Sequence, residues 1–222
     1  FRGRNLLITP YRKGTKVYSE RNSDSMASPS PQGNGTFLAA YEIALYPDGT
    51  LKSYRRCEED EAAKEGHRIW YVYLEIAHDS PWFNGQSYVD TLNPKAIRCF
   101  LDSTHKKYEK AVGELFGKTI PSIFTDEPQF GKKRYLGSAD SKEEVMLPYT
   151  DDFAESYRKK YGEEFLDFLP ELLWELPERK YSRHRYAYHV HVTERFTEAY
   201  SDQVGSWCEK HLLALVGYMM EE

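Results

Sequence analysis

The residue pattern changes its period once, at Asn93, and that change limits the folds open to this chain of 222 residues. Upstream, "TFLAAYEIAL" and "TLKSYRR" are β-prone runs on either side of Pro47-Asp48-Gly49, a turn in which Asp and Gly tolerate the positive φ of a tight hairpin. A polar acidic linker, "CEEDEAAKEGH", leads to a third run, "RIWYVYLEIA", and the three together predict an antiparallel β unit. Downstream, Pro94 is placed to open a helix. Ile97, Phe100, Leu101, Tyr108, Val112 and Leu115 then recur at three- and four-residue spacings as far as Phe116-Gly117. Gly117 suits a left-handed C-terminal cap, and Ile120 to Phe124 predicts a buried strand. Helix followed closely by apolar strand is the rhythm of a parallel α/β sheet.

That rhythm continues to the end of the chain. Thr150 with Asp151 and Asp152 reads as an N-terminal cap, Gly162 closes the helix, and Pro170 begins or breaks another. The segment from Arg183 to His211 is helical in character, and "LLALVGYMMEE" predicts a second buried strand. Only some of the eight βα units of a barrel are accounted for, and a whole barrel takes about 250 residues. The expected fold is therefore α/β: a partial (β/α)8 barrel, truncated at its C-terminus, with an antiparallel β insertion at its N-terminus. Residues 1–70 are expected to form the loop and hairpin insertion and residues 71–222 the partial catalytic domain. Residues 20–36, "ERNSDSMASPSPQGNGT", are too rich in Ser, Pro, Gly and Asn to bury a core and are expected as an exposed loop.

Charge and composition exclude several classes of partner. The net charge is -5 and the basic residues are scattered, so the electrostatic footprint of a nucleic-acid binder is missing. No run reaches the roughly 18 to 20 apolar residues that cross a bilayer, which argues against a membrane partner. The N-terminus "FRGRNLLITPYRKG" lacks the long apolar core of a signal peptide. Cys57, Cys99 and Cys208 are far apart and form no CxxC pair, so they read as reduced thiols and point to the cytoplasm. No phosphate-cradling glycine loop or dinucleotide fingerprint occurs, and no cofactor is expected.

Three stretches are suited to chemistry. In "TIPSIFTDEPQF" an apolar strand ends on Asp126, Glu127 and Pro128, and in a barrel every strand delivers its last residues to one mouth. Glycoside hydrolysis needs two carboxyls across one bond, and Glu127, between the Asp126 charge and an apolar strand, suits the proton donor. In "VGYMMEE" a second strand ends on Glu221 and Glu222, which makes Glu221 a candidate partner carboxylate. The competing view of both is a solvated strand end. In "EIAHDSPWFNGQSYVDTLNP" the acids Glu75, Asp79 and Asp90 crowd around His78, Trp82 and Asn84. Trp82 offers a flat face to a sugar ring and Asn84 an amide to its hydroxyls. His78 and Asp79 lack any metal-ligand spacing, so no metal is expected there, and the histidines at 184, 189, 191 and 211 receive no role.

Taken in order, "SPWFNGQSYVDTLNPKAIRCFLDSTHKKYEKAVGELFG", "IPSIFTDEPQF", "LPYTDDF", "YRKKYG", "LPEL", "RYAY" and "VGYMMEE" resemble large (β/α)8 glycoside hydrolases, namely the alpha-L-rhamnosidase-like enzymes of glycoside hydrolase family 106. The resemblance runs from about Trp82 to the end of the chain. It implies a carbohydrate substrate, an acid role for Glu127, and a strand end at Gly217 and Glu221 similar to a Gly-His-x-x-x-Glu segment. Tyr218 stands where that segment carries His. Trp82, Asn84, Asp126 and Tyr218 are the expected substrate contacts. A sugar-binding module without turnover is the alternative that uses the same aromatic cleft.

Overall fold

A computed structural model describes residues 1–14, 35–131 and 133–218. In chain order its regular elements are β1 (Arg4–Thr9), β2 (Thr36–Leu45), β3 (Leu51–Cys57) and β4 (Arg68–Ile76), then helices α1 (Pro94–Ser103) and α2 (His105–Val112). Strands β5 (Ser122–Asp126) and β6 (Val145–Tyr149) follow, then α3 (Phe153–Tyr161), α4 (Pro170–Leu173) and α5 (Arg183–Phe196). A π-helical turn (Thr197–Ser201) leads into α6 (Asp202–Lys210), and β7 (Ala214–Tyr218) is last. The fold is mixed α/β, with an antiparallel sheet, flanking helices and, among the described residues, no closed barrel.

The β2–β3 hairpin forms at the Pro-Asp-Gly turn. Gly49 takes φ +85, and the Asp48 carboxylate accepts from both the amide (3.0 Å) and the hydroxyl (2.7 Å) of Thr50. Those two donors hold the Asp48 carboxyl below its ordinary pKa. The hairpin belongs to a five-stranded antiparallel sheet in the order β3-β2-β4-β1-β6. Neither β1 nor β6 is expected from the sequence. Both are short, and β6 contains Pro148, a residue tolerated at a sheet edge because it has no amide to donate there. Residue 70, the suggested segment boundary, falls inside β4, and β6 pairs with β1 across the two segments.

Alternation along the strands decides which face is covered. Leu6, Ile8, Tyr41, Ile43, Trp70, Val72 and Leu147 point into the main core, where the helices contribute Phe153, Phe165, Tyr188 and Trp174. Trp70 and Trp174 meet edge-on with ring centres 5.2 Å apart. Full burial of side chains this large contributes roughly 2 to 3 kcal/mol each to holding the helices on the sheet.

Helix signals fare unevenly. Asn93 caps α1 by accepting from the Lys95 amide, with Pro94 in the first turn, and Gly117 and Gly162 take left-handed φ of 68 and 73. The expected single helix from Pro94 is broken at Thr104, whose hydroxyl donates back to the Phe100 carbonyl at 2.6 Å. The expected Thr150 cap is also corrected. Its hydroxyl donates to Asp90 instead, and Asp151 and Asp152 pair with Arg4 and Arg195.

β5 and β7 form a separate parallel pair, as the α/β rhythm predicts. Their expected full burial is corrected: Phe124 is 59% exposed and Tyr218 66% exposed. Ile123 and Leu215 pack against the helical core on one face, and Phe124, Val216 and Tyr218 occupy the other. All three cysteines are free thiols. Among the described residues no helix is long and apolar enough to cross a membrane.

Candidate functional site

The parallel register sets Asp126 opposite Tyr218 and Thr125 opposite Gly217, so both strands end at one rim. One step further, the Glu127 amide donates to the Tyr218 carbonyl at 3.0 Å. Phe124 and Tyr218 then meet edge-on, with ring centres 6.1 Å apart. Glu127 itself has φ +43, a left-handed conformation that costs a non-glycine residue roughly 1 kcal/mol. The chain turns sharply there because Pro128, which is buried, cannot continue the strand ladder.

Several contacts keep this turn in place. On the helix side, the hydroxyls of Thr125 and Tyr200 share a hydrogen bond of 2.6 Å. Tyr200 reaches β5 from the π turn, an insertion of the kind often found at functional sites. Beyond the turn, the Gln129 amide donates to the Tyr88 hydroxyl at 3.0 Å, and the Gln129 carbonyl accepts from the Thr91 hydroxyl at 2.5 Å. Phe130 packs edge-on against Phe196 at 5.3 Å. Gly131, with φ +95, lies so close to Asn5 that a β carbon would come within 2.4 Å of its side-chain oxygen.

Trp82 and Asn84 sit on a small closed loop. Ser80 and Gln86 form a backbone bridge, the Ser80 hydroxyl accepts from the Trp82 amide at 3.2 Å, and Asn84 takes φ +54 with its amide on the Pro81 carbonyl. Trp82 is thereby held 72% exposed, and Asn84 is exposed beside it. Phe83, between them, packs on Tyr88 with ring centres 5.1 Å apart. Tyr88 thus touches both the aromatic loop, through the Phe83 ring, and the segment after the Glu127 turn, through the Gln129 amide.

Asp90, just past that residue, is 4% exposed and accepts from the Thr150 hydroxyl at 2.7 Å and the Leu92 amide at 3.1 Å. Burial pushes its carboxyl up to about 6, against the pull of those two donors and of Arg4. Leu92 is fixed in turn, its carbonyl accepting from buried Arg195 at 3.1 Å while Arg195 holds Asp152 at 2.8 Å.

Of the expected site residues, Asp126, Glu127 and Tyr218 share the strand-end rim. Trp82 and Asn84 lie on the loop tied to it. Glu221 lies outside the described residues. Tyr88, Thr91 and Tyr200 carry much of the geometry and are not expected from the sequence. Tyr88 and Thr91 stand within the loop already singled out, but their partner is a main-chain group that no residue pattern announces. Asp79 forms an ion pair with Arg2 at 3.0 Å, His184 stacks on Phe168 at 3.6 Å, and His211 stacks on Trp207 at 3.9 Å. Among the described residues no group of three or more His, Cys, Asp or Glu side chains is placed to hold a metal ion. No family model, curated protein or solved structure matches this chain.

Proposed function

We propose that this chain is part of the catalytic domain of a glycoside hydrolase in which Glu127 protonates the departing glycosidic oxygen. The observation that carries this reading is the register of β5 against β7, which puts Asp126 beside Tyr218 with Glu127 one residue beyond. Neighbouring parallel strands of a (β/α)8 barrel present their ends to substrate in this way. The partial-barrel reading has further support in the faces of the pair. In a barrel, Phe124, Val216 and Tyr218 would face the interior, and Ile123 and Leu215, which pack on the helical core here, would face the helices. Asp126 and Asn84 would accept from and donate to sugar hydroxyls, and Trp82 would take the apolar face of the ring. The opposing carboxylate is assigned to Glu221 on the strength of its place after the same strand end.

The test is turnover of a panel of aryl glycosides, alpha-L-rhamnosides among them, by the full-length protein and its Glu127→Gln variant. Loss of the acid should lower kcat/KM by about a hundredfold or more on substrates with poor leaving groups. Equal turnover by the two proteins would remove the assignment. A sugar-binding module is the second reading, favoured by how firmly the Ser80–Gln86 bridge presents Trp82 to solvent. It predicts no turnover by the wild type and saturable sugar binding that Trp82→Ala weakens.

A further inference from the structure

Gln129 is a surface residue, yet both of its main-chain groups are taken by side-chain hydroxyls of a single loop. The bond to Thr91, which is 2% exposed, also satisfies a buried hydroxyl, whereas water would serve the exposed Gln129 amide as well as Tyr88 does. What the two bonds do is fix the main chain on both sides of Gln129, two residues after the left-handed Glu127. The loop that supplies them is itself immobilised. Asp90, between Tyr88 and Thr91, is bonded to Thr150 of the segment leaving β6, and the Leu92 carbonyl is bonded to Arg195 of α5. The same loop carries Trp82 and Asn84, joined to Tyr88 by the Phe83 ring contact.

We propose that Tyr88 and Thr91 are positioning residues that clamp the Gln129 peptide and so hold the Glu127 carboxyl and the Trp82 sugar platform as one rigid unit. The inference rests on Glu127 being the proton donor. In that step the Glu127 proton goes to the glycosidic oxygen, and the carbon–oxygen bond breaks with its electron pair passing to that oxygen. The residue is left as a carboxylate. A leaving group of low pKa departs without this help, whereas one of high pKa depends on it. A displaced acid is therefore felt selectively by poor leaving groups. A general loss of folding is felt by all of them alike.

The experiment compares kcat/KM of the full-length protein and its Tyr88→Phe, Thr91→Val and double variants on phenyl and dinitrophenyl alpha-L-rhamnosides, with Glu127→Gln run beside them. For the double variant the phenyl glycoside should fall about tenfold and the dinitrophenyl glycoside less than about twofold. Because the readout is a ratio for one preparation, a smaller folded fraction cancels. An equal fall on both substrates, or no fall on either, with Glu127→Gln still selective for the good leaving group, overturns the clamp alone. A Glu127→Gln variant that matches the wild type on both, or a wild type that turns over no aryl glycoside of the panel, overturns the donor assignment and the clamp with it.

Discussion

Gly217 lies so close to Thr125 that a β carbon on it would stand 1.7 Å from the Thr125 carbonyl oxygen, and its φ is +146. The parallel pair that ends at the candidate site thus depends on a residue with no side chain. Gly217→Ala should destabilise the protein by at least about 2 kcal/mol, because it combines a forbidden backbone conformation with a main-chain clash. The midpoint of a urea titration reads this directly. An unchanged midpoint would mean that β5 and β7 do not pair in this register.

On the helix-facing side of β5, the Thr125–Tyr200 hydrogen bond predicts a coupling rather than a simple loss. Tyr200→Phe and Thr125→Val should each cost about 1 kcal/mol, and the double variant should cost clearly less than their sum. A double-mutant cycle in denaturant measures the difference. Strict additivity would deny the contact.

Trp82 predicts the opposite behaviour, since it is exposed and its loop is held by main-chain bonds and the Ser80 hydroxyl. Trp82→Ala should leave the melting temperature within about 2 °C of the wild type, as surface changes usually do. Loss of the stacking face should raise KM or Kd for a bound glycoside by about fivefold to tenfold. Isothermal titration against an uncleaved sugar separates the two effects.

Two buried groups give pH dependences of opposite sign. The Ser156 hydroxyl donates to the Phe153 carbonyl, so at 2.8 Å from His191 it accepts from Nε2–H of that ring, and Nδ1 stays buried without a partner among the described residues. Burial, with Arg195 and Lys160 nearby, lowers the His191 pKa to about 4. The unfolded chain therefore binds this proton first as pH falls below about 6.5, and stability drops until about pH 4. Asp90 is raised to about 6, so the folded protein holds its proton above the unfolded value near 3.9, and stability drops as pH rises through that window. Each effect is on the order of 3 kcal/mol, and in the wild type they oppose one another. Asp90→Asn should accordingly lose stability between pH 6.5 and 4, and His191→Phe should gain it, when melting is followed by circular dichroism. Parallel profiles for the two variants would contradict both assignments.

The parts of this molecule legible in its sequence are those governed by neighbouring residues. The hairpin follows from Pro47-Asp48-Gly49, the start of α1 from Asn93-Pro94, and the end of α3 at Gly162 from the need for a left-handed residue. The alternation of helix and apolar strand gives the parallel pairing of β5 with β7. What escapes is set by partners distant along the chain. β1 and β6 are strands because they complete a sheet with β4, and Thr150 leaves its capping role because Asp90 is buried beside it. The exposure of Phe124 and Tyr218 likewise depends on what packs over each face of β5 and β7, which their own residues do not encode. The Asp126-Glu127 rim and the Trp82 loop are visible as patterns, but the hydroxyls of Tyr88 and Thr91 that join them bind main-chain atoms and leave no pattern.

The most direct test of the strand-end site is the structure of the full-length Glu127→Gln protein bound to an uncleaved aryl alpha-L-rhamnoside. The sugar should lie against Trp82, with its glycosidic oxygen about 3 Å from the side chain at position 127. A glycoside seated elsewhere, or a residue 127 turned away from the bound sugar, would contradict the account.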